Sequence, residues 1–154
     1  MTEWTIEMVL NRALSLEKQS YNLYIWAKGR VKNIGIKKML NELAQEERRH
    51  KEKIVSAIKN RERISEIGSN IEEVEDLGII DWLSDAGLSE NATYQDILIY
   101  AGKREKETYE YYLDLSERFG KNEIGKLFLN LAQEELKHKN RIEREYEKNI
   151  LKEM

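Results

Sequence analysis

The chain has 154 residues, 36% of them charged and 40% hydrophobic, with a net charge of -3 and no cysteine. This length suits one domain with its own core, the charge gives no electrostatic argument for nucleic acid as a partner, and the missing thiols exclude disulfides, zinc ribbons and iron–sulfur clusters. Because the first residues lack a basic-then-apolar signal pattern and no apolar run approaches the roughly 18 residues that span a bilayer, we expect a cytoplasmic protein with no membrane partner.

Four segments repeat apolar residues at the 3.6-residue period of an amphipathic helix. They predict helices over residues 5–31, 36–59, 93–119 and 123–151. The apolar stripes contain, helix by helix, Leu10, Ala13, Tyr21 and Tyr24; Ile36, Leu40, Leu43 and Ile54; Ile97, Ala101, Tyr109 and Tyr112; and Leu127, Leu131, Ile142 and Tyr146. The sequence contains no proline, which suits long helices. A single all-α domain over residues 1–154 is therefore predicted.

The breaks between these segments predict how the helices connect. Residues 33–35 and 120–122 are short, so each should join two antiparallel helices into a hairpin. Thr93, with Asp96 three residues further on, is predicted to cap the third helix.

The segment 61–92 is too long for an ordinary loop of a compact domain. We predict that it crosses over along the bundle, with a short helix over 71–77 capped by Ser69 or Asn70. The apolar residues expected to hold it against the core are Ile79, Ile80, Trp82 and Leu83. Two hairpins joined by one long crossover make a ferritin-like four-helix bundle.

A nine-residue sequence occurs twice in the chain. LAQEERRHK at 43–51 returns as LAQEELKHK at 131–139, with seven of nine positions identical at an offset of 88. The same offset relates Glu17 to Glu105, Tyr21 to Tyr109, and Tyr24 to Tyr112. The chain is therefore interpreted as one helical hairpin used twice, with pseudo-twofold symmetry.

Six polar residues interrupt the apolar stripes at one level of all four predicted helices. They are Glu17, Glu47, His50, Glu105, Glu135 and His138. Burying four unpaired carboxylates would be prohibitive, so either protons or cations must neutralise them. One Glu from each of two helices and a Glu-x-x-His from each of the other two is the ligand set of dinuclear carboxylate sites. The pattern therefore predicts two divalent ions, whose charge balances the four carboxylates.

Each of these signals alone has a simpler explanation. A single Glu-x-x-His in so charged a helical chain usually lies exposed on the surface without binding a metal. A single Glu on an apolar stripe usually reaches solvent. Tyr24 and Tyr112 fit ordinary packing as well as a hydrogen bond to a metal-bound carboxylate. Glu46 and Glu134 fit solvent exposure as well as a hydrogen bond that orients a histidine ring. The two copies in register, which hold the only two histidines of the sequence, favour the metal site.

The pattern resembles the ferritin-like diiron-carboxylate superfamily, and the spacing of 30 residues between Glu17 and Glu47 is most similar to its rubrerythrin-type branch. The resemblance implies that Glu47 and Glu135 bridge both metals. It also implies the remaining roles: Glu17 and His50 on one metal, Glu105 and His138 on the other, Tyr24 and Tyr112 bonded to site carboxylates, and Glu46 and Glu134 in an acidic position behind the ligands.

The chain also differs from rubrerythrins. It has no Cys-rich rubredoxin domain, and Thr108 and His138 stand where rubrerythrins carry glutamates. Its site is closer to the symmetric four-Glu, two-His type of bacterioferritins. These differences favour a diiron centre more strongly than any particular reaction.

The resemblance implies two iron ions, although manganese or a mixed pair would satisfy the same ligands. The expected function is an oxidoreductase that reacts with hydrogen peroxide or dioxygen, as a peroxidase or a ferroxidase, and takes electrons from a separate donor protein. Two alternatives stay open: a subunit of an iron-storage cage, and a helical interaction module without catalysis. The oligomeric state is also open, including a homodimer that exchanges hairpins through 61–92.

Overall fold

The computed structural model describes residues 5–59, 76, 78, 81 and 88–149. This part of the chain forms four helices and no strands: α1 (Ile6–Lys28), α2 (Ile34–Lys59), α3 (Tyr94–Phe119) and α4 (Glu123–Asn149). α1 packs along α2, α3 packs along α4, and α1 also contacts α3. The predicted all-α, ferritin-like four-helix bundle is confirmed. None of the described helices has the length and apolar character needed to cross a membrane.

Threonine side chains cap the first turns of α1 and α3. Thr5 Oγ1 accepts a hydrogen bond from the backbone N–H of Met8 at 3.2 Å. Thr93 Oγ1 accepts one from the backbone N–H of Asp96 at 3.1 Å, and the Asp96 carboxylate accepts one from the N–H of Thr93 at 3.0 Å. This reciprocal capping box confirms the predicted cap of the third helix.

The turn after α1 comes earlier than predicted. The helix ends at Lys28 rather than at residue 31. The N–H of Gly29 bonds to the carbonyl of Trp26, three residues back, at 3.1 Å, which is the tighter pattern of a closing helix. Val31 still lies in the core at 7% exposure, so its place in the apolar pattern reflects burial and not helix.

The start of α2 also differs from the prediction, because the helix begins at Ile34 rather than at residue 36. Asn33 Oδ1 accepts a hydrogen bond from the backbone N–H of Ile36 at 3.1 Å, as a capping residue does. Gly35, which was predicted to lie in the break, therefore belongs to the first turn of α2.

The apolar core consists of two clusters separated along the bundle axis. One joins the end of α1 and the start of α2 to the start of α3 and the end of α4, and includes Tyr24, Leu40, Leu43, Ile97, Ile142 and Tyr146. The other joins the opposite ends, and includes Leu10, Ile54, Tyr112, Leu115, Leu127 and Leu131. In every helix the predicted site residues lie between the two clusters.

The crossover is attached to α4 through a buried lysine. Lys139 Nζ, whose side chain is fully buried, lies 2.6 Å from Asp76 Oδ1, 3.0 Å from Asp81 Oδ1 and 2.9 Å from Glu143 Oε1. A buried ammonium requires such partners, so these contacts bind the crossover to the fourth helix. Apart from Asp76, the predicted helix over 71–77 lies outside the described residues, as do Ser69, Asn70, Ile79, Ile80, Trp82 and Leu83.

A substitution at Gly125 tests the close approach in the turn between α3 and α4. A Cβ at this position would lie 1.8 Å from the carbonyl oxygen of Gly120, whose own φ of 69° favours glycine. We expect Gly125→Ala to lower the free energy of unfolding by about 1–3 kcal/mol, measured by urea denaturation followed by helical circular dichroism.

Gly29→Ala is the matched control, because a Cβ there meets its nearest atom, the Trp26 carbonyl oxygen, at 3.4 Å. The control should unfold at the same urea concentration as the native protein or at a slightly higher one, because alanine fits the helical dihedral angles of Gly29. A Gly125→Ala protein as stable as this control would contradict the close approach at the turn.

Candidate metal centre

The six predicted site residues meet in one buried layer between the two apolar clusters. α1 and α3 each contribute one residue, Glu17 and Glu105. α2 and α4 each contribute a Glu-x-x-His pair: Glu47 with His50, and Glu135 with His138. All six are between 0% and 3% exposed. Helical geometry explains the pairs, because residues at i and i+3 project from the same face.

The donor atoms form two overlapping groups. In the first, one donor atom from each of four residues lies within 4.8 Å of the others, and the residues are Glu17, Glu47, His50 and Glu135. In the second, the same holds for Glu47, Glu105, Glu135 and His138. Glu47 and Glu135 belong to both groups, so their two carboxylates lie between two adjacent positions for a cation.

Each histidine contacts the glutamate of the opposite hairpin. His50 Nδ1 lies 2.7 Å from Glu135 Oε1, and His138 Nδ1 lies 2.7 Å from Glu47 Oε1. The glutamates of the α1–α3 side are farther away, with 3.6 Å between His50 Nδ1 and Glu17 Oε2. The two imidazole rings stack at a centroid distance of 5.3 Å and an interplanar angle of 7°. This geometry shows the pseudo-twofold symmetry predicted from the repeat.

Two buried tyrosines donate hydrogen bonds to the layer, also across the hairpins. The hydroxyl of Tyr112 in α3 donates to Glu17 Oε1 of α1 at 2.6 Å. The hydroxyl of Tyr24 in α1 donates to Glu105 Oε1 of α3. The prediction that these phenols bond site carboxylates is therefore matched by the geometry, and each one reaches the glutamate of the other hairpin.

One oxygen of every glutamate in the layer has no hydrogen-bond partner. The unpartnered atoms are the Oε2 atoms of Glu17, Glu47, Glu105 and Glu135. A buried acceptor without a partner costs about 1–3 kcal/mol, and more when it is charged. A pair of cations in this buried layer would satisfy these oxygens. This donor set, four carboxylates and two imidazoles, suits iron or manganese.

The four carboxyl groups titrate differently because of their surroundings. Burial raises the pKa of Glu47 and of Glu135 well above the usual range, and the charges of the other glutamates add to the rise. Burial also acts to raise the pKa of Glu17, but its proximity to Glu47 and the charge of His50 outweigh this effect and lower the pKa to about 2. A raised pKa favours the protonated form of the two shared carboxyls, and metal binding requires that ligands of this kind lose their protons.

The two acidic residues that precede the ligand pairs differ in their contacts. Glu46 Oε2 lies 2.5 Å from His138 Nε2, so it contacts the ring nitrogen that faces away from the layer. Glu134 instead lies 3.5 Å from Lys137 Nζ, in an i, i+3 ion pair on the surface of α4. The sequence repeat treats these two glutamates as equivalent, whereas the structure places only Glu46 behind a histidine.

Sequence reasoning missed Lys139, which directly follows His138. A lysine on a charged helix is normally solvated, and its crossover partners Asp76 and Asp81 are distant in the sequence. The only local signal is Glu143, four residues further on, at the spacing of a helical ion pair.

The fold and the layer together define a ferritin-like four-helix bundle with a buried Glu/His cluster compatible with a diiron site. The Rubrerythrin family model matches residues 8–78, which is slightly less than half of the chain. The match covers α1, α2 and part of the crossover, and includes Glu17, Glu47 and His50. It confirms the predicted resemblance to a rubrerythrin-type diiron domain. No curated protein and no solved structure matches the chain.

Metal stoichiometry distinguishes the shared carboxylates from the others. We expect Glu47→Ala and Glu135→Ala to lose both ions and Glu17→Ala to keep about one per chain, because only the shared residues belong to both donor groups. Metal analysis after anaerobic Fe(II) addition and desalting measures this. The control is Glu52→Ala, an exposed residue paired with Arg48 at 3.5 Å. Two ions retained by Glu47→Ala would contradict its shared position.

Glu46 and Glu134 form a second matched pair of variants. Since Glu46 contacts the outer nitrogen of His138 and Glu134 contacts a surface lysine, we expect Glu46→Ala to weaken one of the two metal sites by about tenfold or more. Glu134→Ala should leave both affinities unchanged. Competition with a coloured Fe(II) chelator measures the two affinities, and equal behaviour of the variants would show that the Glu46 contact has no role in binding.

Proposed function

We propose that this protein is a non-haem diiron oxidoreductase that reduces hydrogen peroxide or dioxygen. The observation that carries the proposal is the set of four unpartnered Oε2 atoms in a buried layer that also holds two histidines. The Rubrerythrin match over residues 8–78 supports iron as the metal.

In this proposal the six buried glutamates and histidines bind two ions. Glu47 and Glu135 would contribute to holding both ions, since their oxygens belong to both donor groups. Glu17 and His50 would complete one position, and Glu105 and His138 the other. When bound, iron would supply electron transfer through its ferrous and ferric states.

The protein contributes charge, orientation and exclusion of water. Four carboxylates neutralise two divalent ions in an interior that is otherwise apolar, where the same charges unpaired would be strongly unfavourable. The hydroxyls of Tyr24 and Tyr112 hold Glu105 and Glu17 in place through donated hydrogen bonds, which fixes the orientation of these ligands. The apolar clusters on both sides keep bulk water from the layer.

Burial also keeps the two phenols protonated. Burial raises the pKa of Tyr24 and Tyr112 well above the usual value, and the nearby glutamates raise it further. Both tyrosines therefore stay hydrogen-bond donors across the working pH range. In the proposed reaction they orient the carboxylates of Glu17 and Glu105.

Oxidant consumption tests the proposed activity directly. We expect protein loaded anaerobically with Fe(II) to consume hydrogen peroxide or dioxygen faster than the same Fe(II) in buffer, with repeated turnover when a chemical reductant is supplied. An oxygen electrode and a peroxide assay measure the rates. Glu135→Ala should lose the activity together with its metals, whereas Glu134→Ala, one residue away, should keep both.

The same preparation tests the alternatives. Native protein that holds two ions yet consumes neither oxidant faster than Glu135→Ala would refute the oxidoreductase. Native protein that binds no metal would favour an interaction module. Size-exclusion chromatography addresses storage, because an iron-storage cage needs a particle of many subunits. A monomer or dimer would exclude a cage.

A further inference from the structure

A cavity of about 220 Å³ lies between α1 and α3, outside the glutamate layer. Its walls are Arg12, Leu16, Arg104, Glu107, Thr108 and Tyr111. Leu16 and Arg104 directly precede Glu17 and Glu105 in the sequence, so the cavity lies beside the metal centre. None of these six side chains has a role in holding the proposed metals.

Two arginines give the cavity its charge. Within the described part of the chain, neither Arg12 nor Arg104 forms an ion pair with a carboxylate, although Glu107 lines the same cavity. Arg104 Nη2 donates a long hydrogen bond to Gln19 Oε1 at 3.5 Å. Arg104 Nε is buried and has no hydrogen-bond partner. Buried donors are normally satisfied, so this N–H group can donate to an acceptor that enters the cavity.

The packing of α1 against α3 places the two arginines at opposite ends of the cavity. The hydroxyl of Tyr112 contacts the carbonyl of Ala13 at 3.5 Å, which sets Arg12 level with Tyr111. The contact with Gln19 sets Arg104 about two turns further along α1. Both arginines line the same cavity, which is partly open to solvent, so both add positive charge to one site.

The pseudo-twofold symmetry does not produce this cavity. At the 88-residue offset, Arg12 corresponds to Tyr100, and Leu16 corresponds to Arg104. The arginine pair therefore occurs on one half of the α1–α3 interface only. It is a feature of this chain's own side chains, separate from the repeated ligands.

We propose that this cavity is a binding site for a small oxyanion, held between Arg12 and Arg104. The planar guanidinium donates paired N–H groups to the oxygens of carboxylates and phosphates. A volume of about 220 Å³ is smaller than the roughly 300–1,000 Å³ of pockets for larger organic ligands. The ligand is therefore inorganic phosphate or the carboxylate of a small organic acid. The site goes beyond the proposed redox function and does not depend on metal.

Isothermal titration of the full chain with inorganic phosphate tests the site, with acetate as the second ligand and ionic strength held constant with potassium chloride. We expect saturable binding of one ion per chain by at least one of the two. Tighter binding of phosphate identifies a tetrahedral oxyanion as the ligand class, and tighter binding of acetate identifies a carboxylate. Either result supports the site.

Arginine variants locate the binding. Arg12→Gln and Arg104→Gln should each weaken it by about tenfold or more, because each removes charge-assisted hydrogen bonds. Arg48→Gln is the control, since Arg48 is an exposed arginine paired with Glu52, and it should bind as the native protein does. Arg12 is exposed, so its variant should fold even if Arg104→Gln does not, and circular dichroism checks both.

Three results would overturn the site: no saturable binding of either ion, native affinity in Arg12→Gln, or an equal loss in Arg48→Gln. An equal loss in Arg48→Gln would show that the anion binds to surface arginines in general and not to this cavity. Measuring the metal-free protein alongside the metal-loaded one separates this proposal from the redox function, because a chain without metal or activity can still bind the anion.

Discussion

Moving a carboxylate from water into a protein interior costs several kcal/mol, and this bundle buries four of them at one level. Each has one oxygen held by a histidine or tyrosine of the other hairpin and one oxygen without a partner. The structure thus satisfies half of each carboxylate with its own side chains. The other half is suited to cations, which is why the layer is interpreted as a metal centre.

The rest of the architecture supports this layer. Apolar clusters on both sides keep it dry. Its two histidines and two tyrosines each contact a glutamate of the opposite hairpin at 2.7 Å or less, so these contacts join the two hairpins. Lys139, which follows His138, extends the same network outward to Asp76 and Asp81 of the crossover. Core, site and connection are therefore linked through consecutive residues of α4.

The four-helix bundle and the meeting of six distant residues at one level could be predicted from the sequence. Both predictions rest on helical periodicity and on the 88-residue offset, which can be read from the sequence alone. That these six ligate metal stays a prediction. The sequence did not separate Glu46 from Glu134, since equivalent positions in a repeat can meet different neighbours. The sequence predicts a break at Asn33, whereas its side chain caps α2, because asparagine is common both in turns and at helix starts. Lys139 and the arginine cavity depend on tertiary packing, which periodicity does not contain.

The polar layer also has a consequence for the alignment of the two hairpins. Sliding one hairpin past the other by a single helical turn, 5.4 Å, would leave apolar contacts largely available, because leucine packs against many neighbours equally well. It would, however, place Glu47 and Glu135 against the leucines of the adjoining clusters and separate both histidines from their partners. Buried polar groups are known to set register in this way in coiled coils. The buried carboxylate layer therefore fixes the register of the two hairpins and allows only one alignment between them.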